Sequence, residues 1–509
     1  MSTPPVETPS AEDPAPLSVN AAPSSELSRR AVRGALWTGI SQYALFALGI
    51  VKVGILARLV PEEYFGAVTL GIAWTSYLLF FKFDFRAALI SWPLDDDLLN
   101  THFWLDISMT LSGFVIAGLV YLVAPTIVSP LTWTAIVILL GLALVDSLTL
   151  NARLMTERDL RQDLMAQLTL IASVLTLVIP VGLALMNHYL LAVVLDVMLP
   201  ALVLAVGLAV RVRWRPRRVF NRELARKLLD FGLTMWTTGL LGKIVFQFDD
   251  WLVGTLNRPN PTVWLSAGET PVAYYGRAYT AGKMPMDVFA GFIGSIALPL
   301  YARSESEGRA VLRTTYQQTT WLLAYLIFFS STVALVATRE VVLILLGPNW
   351  LPTVPLFQLM SLFILGRPFY QNASQLLLAV GQEKQMRLTV LVQAVFLLVL
   401  GPLAVWFYGA GGAAAVISVM TIVGMVLAEW YVQKLLGAPL WRIYLLPGLT
   451  SLVLIVTLNP AAGLFPDNIF ISGTLKGLIC TAAFGLTLLL FERRQAMQAV
   501  ALVRQHLRR

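Results

Sequence analysis

The sequence predicts an all-α integral membrane protein of about 14 transmembrane helices, built as two six-helix bundles in parallel repeat plus two C-terminal helices. Three observations predict it. Of 509 residues, 57% are hydrophobic and 13% charged, and the mean hydropathy is +0.73, far from the composition of soluble domains. Apolar runs of about twenty residues recur along the chain, each long enough to cross ~30 Å of hydrocarbon as a helix. Lys and Arg collect in alternate connections, as the positive-inside rule requires.

The predicted spans lie near 34–57, 65–90, 103–124, 131–152, 164–187, 190–210, 229–256, 276–300, 317–338, 354–380, 388–408, 410–432, 443–459 and 473–491. With both termini cytoplasmic, 26 of the 37 basic residues fall in inner connections and three, Arg58, Arg258 and Arg339, in outer ones. That asymmetry fixes an even number of spans in the inner membrane. It also accounts for the net charge of +8 without nucleic acid as a partner, since no basic stripe interleaved with aromatics occurs.

Domain organisation follows from composition. Residues 1–28, rich in Pro, Ser, Ala and Glu, read as a disordered cytoplasmic tail, and the first apolar run behind Arg29, Arg30 and Arg33 reads as a retained span rather than a cleaved signal. An N-terminal six-helix bundle covers 29–210, a basic cytoplasmic linker 211–228, a C-terminal six-helix bundle 229–435, the last two helices 436–492 and a basic tail 493–509. GALWTGISQ with ILARLVPEEYFGAVTLG in the first bundle matches FGLTMWTTGLLGK with VAYYGRAYTAG in the second. Because both copies start on one membrane side, the repeat axis runs along the membrane normal. The linker and the C-terminal tail read as basic interfacial segments against anionic membrane lipids.

Several chemistries are excluded. Cys480 is the single cysteine, so no intrachain disulfide forms, and His102, His188 and His506 lack metal-ligand spacing. GLLGK (239–243) and YTAGKMP (279–285) do not have the spacing of a phosphate-binding loop. The sequence therefore predicts no cofactor, no metal and no enzymatic activity. A membrane glycan polymerase or ligase stays as a less favoured alternative: it would carry reactive groups on a large outer loop, whereas 257–275 offers only Arg258 and Glu269 as charges.

Ionisable residues within spans point to a cavity or a partner, because a charge at the bilayer centre costs ~2.5–3.5 kcal/mol on insertion scales. Lys243, Gln247 and Asp250 are spaced i, i+4, i+7 and share a helix face with Gly239. The stripe fits the wall of a wet cavity, and equally an ion pair to a neighbouring helix; Asp249 points off it. In GRPFYQNASQ (366–375), Pro368 disturbs the helix where Arg367, Gln371 and Ser374 share a face. Arg367 fits either bidentate recognition of a phosphate or snorkelling to water. Lys82 and Arg86 are one turn apart, Lys52 lies late in the first span, and Arg277 and Lys283 mark the eighth, where Asp287 follows Lys283 by one turn.

The segments RGALWTGISQ (33–42), ILARLVPEEYFGAVTLG (55–71), NARLMTERDLRQ (151–162), RPRRVFNRELARKLLDFGL (215–233), DDWLVGTL (249–256), AYYGRAYTAGKMP (273–285), LPLYAR (298–303) and LLGPNWLPTVPLFQLMSL (345–362) resemble, in order and spacing, the polysaccharide biosynthesis proteins of the oligosaccharide flippase type. These belong to the superfamily that also holds multidrug extrusion proteins and lipid II flippases. The resemblance spans 30 to about 390 and departs at FDFRAALI (83–90), where that family has Gly and small polar residues. It implies alternating access by two helical bundles, carrying an isoprenoid-pyrophosphate-linked oligosaccharide from inner to outer leaflet for lipopolysaccharide or exopolysaccharide biosynthesis, alongside glycosyltransferases and a polymerase. On that reading Lys243, Arg367, Lys82, Arg86, Arg277 and Lys52 form a cationic cavity for the substrate, Gln247, Gln371 and Ser374 line it, and Asp250 couples an ion. An excess of cations suits a pyrophosphate; a small-molecule exporter of the same superfamily, the alternative, would more naturally show uncompensated carboxylates.

Overall fold

The computed structural model describes residues 48–93, 95–158, 162–212, 214–256, 268–437, 439–493, 495 and 497. The expected N-terminal tail, the start of the first span, most of the loop 257–275 and nearly all of the C-terminal tail lie outside them, as does the side chain of Asp287. Everything described is helix, turn or irregular chain. The helices are α1 (48–59), α2 (Glu62–Leu78), α3 (Arg86–Ser91), α4 (Asp96–Val123), α5 (Pro130–Arg158), α6 (Gln162–Leu185), α7 (Tyr189–Arg211), α8 (Arg222–Thr255), α9 (Glu269–Ser306), α10 (Arg309–Val336), α11 (Thr338–Leu345), α12 (Thr353–Leu359), α13 (Ser361–Ala379), α14 (Glu383–Leu436), α15 (Trp441–Leu458) and α16 (Ile469–Phe491). Eight of them, α4, α5, α6, α7, α10, α14, α15 and α16, are long and apolar enough to cross a membrane. Helices α8 and α9, at 34 and 38 residues, are also long enough but interrupt their apolar runs with charge. The chain is a multi-pass membrane protein.

Local chemistry sets the boundaries. Asp95 accepts from the Leu98 amide at 2.7 Å, ahead of Asp96 and Asp97 in the first turn of α4, where negative charge meets the positive helix end. Asn221 and Asn468 cap α8 and α16 in the same way. Gly437, at φ +65, ends α14 in the left-handed conformation that glycine adopts at little cost. Gly409, at φ +57 and ψ −142, breaks α14 into two helical pieces, which correspond to the two spans expected at 388–408 and 410–432. The span expected at 65–90 instead ends as a helix at Leu78. There Trp236 of α8 donates its indole N–H to the Phe80 carbonyl at 2.7 Å, and Asp84 accepts from the Arg86 amide at 2.9 Å to start α3. The span expected at 354–380 divides at Met360 into α12 and α13.

The sequence-distant halves meet through α2, which packs along α9, α8 and α5. Close approach needs small residues there, as in membrane helix pairs generally. A Cβ on Gly66 would fall 1.8 Å from the Glu269 carbonyl, and one on Gly254 would meet Leu70. A core of Leu56, Phe65, Val68, Ala273, Val342 and Trp350 binds α1 and α2 to α9 and α11. Helices α9, α10, α13, α14, α15 and α16 share a second core around Tyr301, Tyr316, Phe369 and Cys480.

The basic linker between α7 and α8 marks one end of these helices, here the basic end. Its later part is tied to the start of α4. The Arg217 amide donates to Asn100 Oδ1 at 2.5 Å, the Asn221 amide to Thr101 Oγ1 at 3.1 Å, and Trp104 Nε1 donates to the Arg217 carbonyl at 2.9 Å. Replacing Asn100→Ala together with Thr101→Val removes two acceptors, about 1 kcal/mol each. Trypsin is expected to cut after Arg217 or Arg218 several-fold faster in that variant than in the parent, read by gel under native conditions.

At the far end, Arg58 closes α1 onto α11. Its guanidinium donates to the carbonyls of Leu343, Ile344 and Leu345 at 3.3, 2.5 and 3.1 Å and to Gly54 at 3.1 Å. The three carbonyls of α11 are the orphans of a helix C-terminus, where a cation is favoured. Trp350 Nε1 donates to the Ala57 carbonyl at 2.8 Å beside them, and Ser129, just before α5, and Thr132 of α5 donate to the Glu269 carboxylate. The far end is thus sealed by hydrogen bonds between halves. Arg58→Ala should open it: in nanodiscs, a cysteine introduced by Leu345→Cys is expected to react several-fold faster with a polar maleimide than it does with Arg58 in place. Cys480 is buried, so background labelling is low.

Candidate functional site: charges at membrane depth

The face of α8 with Lys243 and Gln247 turns to α2. Lys243 Nζ donates to the Ser76 carbonyl at 3.4 Å, and the Ser76 hydroxyl donates to Gln247 Oε1. Both side chains are half-buried, as is Asp250. Asp249 lies off this face, 2% exposed, and accepts from the Tyr275 hydroxyl of α9 at 2.5 Å. Trp251 stacks on Phe248 and meets Trp74 and Tyr77 edge-on, which holds the end of the stripe against α2.

Arg277 of α9 is held by rings. Its guanidinium carbon lies 4.2 Å from the centroid of Phe65 and 5.6 Å from that of Trp350, distances at which the negative ring face attracts a cation. It also borders a cavity of about 10 Å³ with Ile50, Val53 and Thr280, room for roughly one water. Arg367 of α13 is 7% exposed and lies 5.7 Å from the Tyr370 ring, with Gln371 half-buried and Ser374 buried on the same helix. Pro368 sits inside α13 beside it. Tyr279 of α9, the residue one turn before Lys283, packs on Phe363 of α13 at 4.9 Å.

The other three expected cations are each met by a carboxylate. Lys52 pairs with Asp196 of α7 at 2.5 Å. Lys82 pairs with Asp106 of α4 at 3.2 Å and donates to Ser147 of α5 at 2.7 Å. Arg86 pairs with Glu157 of α5 at 2.8 Å, its side chain 56% exposed. The ten expected site residues therefore divide. Lys243, Gln247 and Asp250 belong to the α8 stripe, Arg277 to the α9 face against α2, Arg367, Gln371 and Ser374 to α13, and Lys52, Lys82 and Arg86 to ion pairs within the first half of the chain.

Sequence reading missed the groups that receive these charges. Asp106 and His102, both 1% exposed, occupy successive turns of α4, where His102 Nδ1 meets Asn151 Oδ1 at 2.6 Å. Asn151 Nδ2 donates to the Leu99 carbonyl at 2.8 Å, so Oδ1 is the acceptor and Nδ1 carries the proton. Glu429 Oε1 accepts from both Tyr316 and Tyr444, at 2.8 and 2.7 Å, inside the second core, while its Oε2 is buried with no hydrogen-bond partner among the described residues. Only the i, i+4 spacing of His102 and Asp106 is visible in sequence. Among the described residues no group of His, Cys, Asp and Glu suits a metal ion.

The sequence profile of the family described as polysaccharide biosynthesis protein matches residues 55–355. The teichuronic acid biosynthesis protein TuaB of Bacillus subtilis (strain 168) is 23% identical over 367 residues, covering 70% of this chain and 72% of its own length. The succinoglycan biosynthesis transport protein ExoT of Rhizobium meliloti (strain 1021) is 26% identical over 349 residues, 66% of each chain. Among solved structures, the lipid II flippase MurJ in an inward closed conformation superposes with a TM-score of 0.71 at 15% identity, over 90% of this chain and 99% of that one. An inward-facing multidrug resistance MATE family transporter gives 0.53 at 14% identity, over 78% and 96%. At these identities the structural matches speak for a shared fold.

Proposed function

Because the chain belongs to the polysaccharide biosynthesis protein family, we propose that it carries an isoprenoid-pyrophosphate-linked oligosaccharide from the inner to the outer leaflet of the cytoplasmic membrane, by alternating access. The fourteen-span arrangement with cytoplasmic termini and two six-helix bundles is part of this reading, supported by the eight apolar helices and by the charge asymmetry of the connections. The observation that carries it is how Lys243 and Arg277 are held. Among the described residues neither has a carboxylate within ion-pair distance; a backbone carbonyl and two ring faces hold them instead. Such partners leave Lys243 without a paired counter-charge and Arg277 with only the longer-range field of Asp196, itself paired to Lys52, so an arriving pyrophosphate gains charge-assisted hydrogen bonds without breaking an ion pair.

Lys52, Lys82 and Arg86 drop out of the anion-binding set on this reading and act as positioning residues, since their carboxylates already neutralise them. Arg367 and the polar side chains Gln371 and Ser374 supply the α13 side of the path. The far-end seal at Arg58 and Trp350 must break for the substrate to leave outward, and Asp250, next to the Asp249–Tyr275 bond, is the group proposed to respond to an ion. The test is genetic and biochemical. In a strain deleted for this chain, isoprenoid-linked oligosaccharide should accumulate on the cytoplasmic side, and the wild-type chain should relieve it. Delivery of the glycan at the parental rate in the deleted strain, with no redundant transporter, would falsify the assignment.

A further inference from the structure

A cavity of about 880 Å³ opens at the far end between α10, α11 and α12 on one side and the start of α16 on the other. Its volume lies in the ordinary range of ligand pockets, about 300–1,000 Å³. Its floor is an ion pair at membrane depth: Lys476 Nζ donates to Glu340 Oε1 at 2.6 Å, and Ser472 Oγ donates to the same oxygen at 2.7 Å. Both residues are 5% exposed. Glu340 Oε2 is buried and has no hydrogen-bond partner among the described residues. A buried carboxylate oxygen left without a donor is costly, so the site lacks a donor that a ligand can bring.

The lining says which kind of ligand. Arg339 and Lys476 balance Glu340 and Asp467, so the cavity favours neither an anion nor a cation. Gln358 and Asn459 add exposed amides, each both donor and acceptor. The Phe465 ring, 5.2 Å from Lys476 Nζ, adds an apolar surface. A neutral molecule rich in hydroxyl groups matches all of these: O–H donors for Glu340 Oε2, acceptors for the amides and C–H faces for the ring.

We infer that this cavity is a second saccharide-binding site, on the outer end of the protein, separate from the α8–α9 cations and recognising sugar hydroxyls rather than pyrophosphate. It rests on the proposed function for the identity of the sugar, the glycan of the translocated lipid. Holding the glycan there after it crosses would disfavour its return, because the bound sugar must be released before the far end can close over it.

The experiment is photo-crosslinking in the host, with cells fed a radiolabelled sugar of their surface polysaccharide and the full chain carrying a photoreactive amino acid in place of Asn459 or, separately, of Gln247. Labelled glycan is expected on the protein from both positions. Glu340→Gln turns Oε2 into a donor while keeping an acceptor for Lys476 and Ser472, and should lower the Asn459 yield about tenfold, the effect of losing one hydrogen bond to a charged group, with the Gln247 yield unchanged. Gln358→Ala, which leaves the ion pair intact, should lower it in the same direction. Label at Gln247 but not at Asn459 overturns this site and leaves the proposed function standing. Label at neither overturns both, and phospholipid in place of glycan at Asn459 overturns the site in favour of a lipid headgroup.

Discussion

Lys243→Met is expected to lower glycan export about ten- to a hundredfold while leaving the amount of folded protein in the membrane unchanged. The side chain is half-buried and donates to the half-buried Ser76 carbonyl at 3.4 Å, a long hydrogen bond, so methionine of similar length restores most of the packing and gives up only that one weak contact. What is lost is a hydrogen bond from an ammonium to a phosphate oxygen, worth about 1.5–3 kcal/mol, and that energy sets the factor. Lys243→Arg should retain most activity because the charge remains. Export is read as cell-surface glycan per unit of membrane-inserted chain, and equal export by Lys243→Met and wild type would remove the residue from the site.

Asp106→Leu is expected to have the larger effect on the folded protein itself. It leaves the Lys82 ammonium, 18% exposed, facing an apolar side chain between α4 and α5, with Ser147 as its remaining acceptor. Removing one partner of a buried pair costs about 3–5 kcal/mol, whereas replacing both partners with apolar groups is often neutral. The double variant Asp106→Leu, Lys82→Met should therefore recover most of the loss. Thermal unfolding in nanodiscs checks both, with the single variant markedly less stable and the double near wild type. A double variant that stays as unstable as the single would show that the carboxylate acts through groups other than Lys82, such as His102 one turn away.

How much of this was legible in the sequence depends on whether the signal is local. Apolar runs and the placement of Lys and Arg are local, so the membrane class and the positions of α4, α5, α6, α7, α10, α15 and α16 could be read directly. The i, i+4, i+7 rule grouped Lys243, Gln247 and Asp250 and set Asp249 apart, because α8 is continuous through that stretch. Pairings were not legible. Lys52 meets Asp196 from α7, Arg58 meets the end of α11, and Lys476 meets Glu340, each across a sequence separation that only tertiary packing closes. Counting cations within spans without their carboxylates made the positive excess look larger than it is.

The break after Leu78 was hidden for a related reason. Residues 79–85 contain helix-compatible residue types, and just past the helix end the Phe80 carbonyl is held by the Trp236 indole, from a helix more than 150 positions away. The departure of FDFRAALI from the family pattern falls at this break: Phe85 is 2% exposed and packs edge-on to His102 at 5.5 Å. Charge alone places the linker against lipid headgroups, while the side chains of Asn100, Thr101 and Trp104 also hold its later part by hydrogen bonds to its backbone, which leave no trace in composition.

The central claim is that the chain itself moves a lipid-linked saccharide across the bilayer using cations that, among the described residues, no carboxylate meets within ion-pair distance. The direct measurement is transbilayer movement in proteoliposomes loaded with the host's isoprenoid-linked oligosaccharide, followed by the fraction that becomes accessible to an external sugar-oxidising reagent. The account predicts that vesicles with the wild-type chain expose the internal pool at least about tenfold faster than protein-free vesicles, and that Lys243→Met with Arg277→Met, which removes both charge-assisted contacts, abolishes the acceleration. Exposure at the protein-free rate with the wild-type chain, under an imposed ion gradient or membrane potential of either sign, would contradict it.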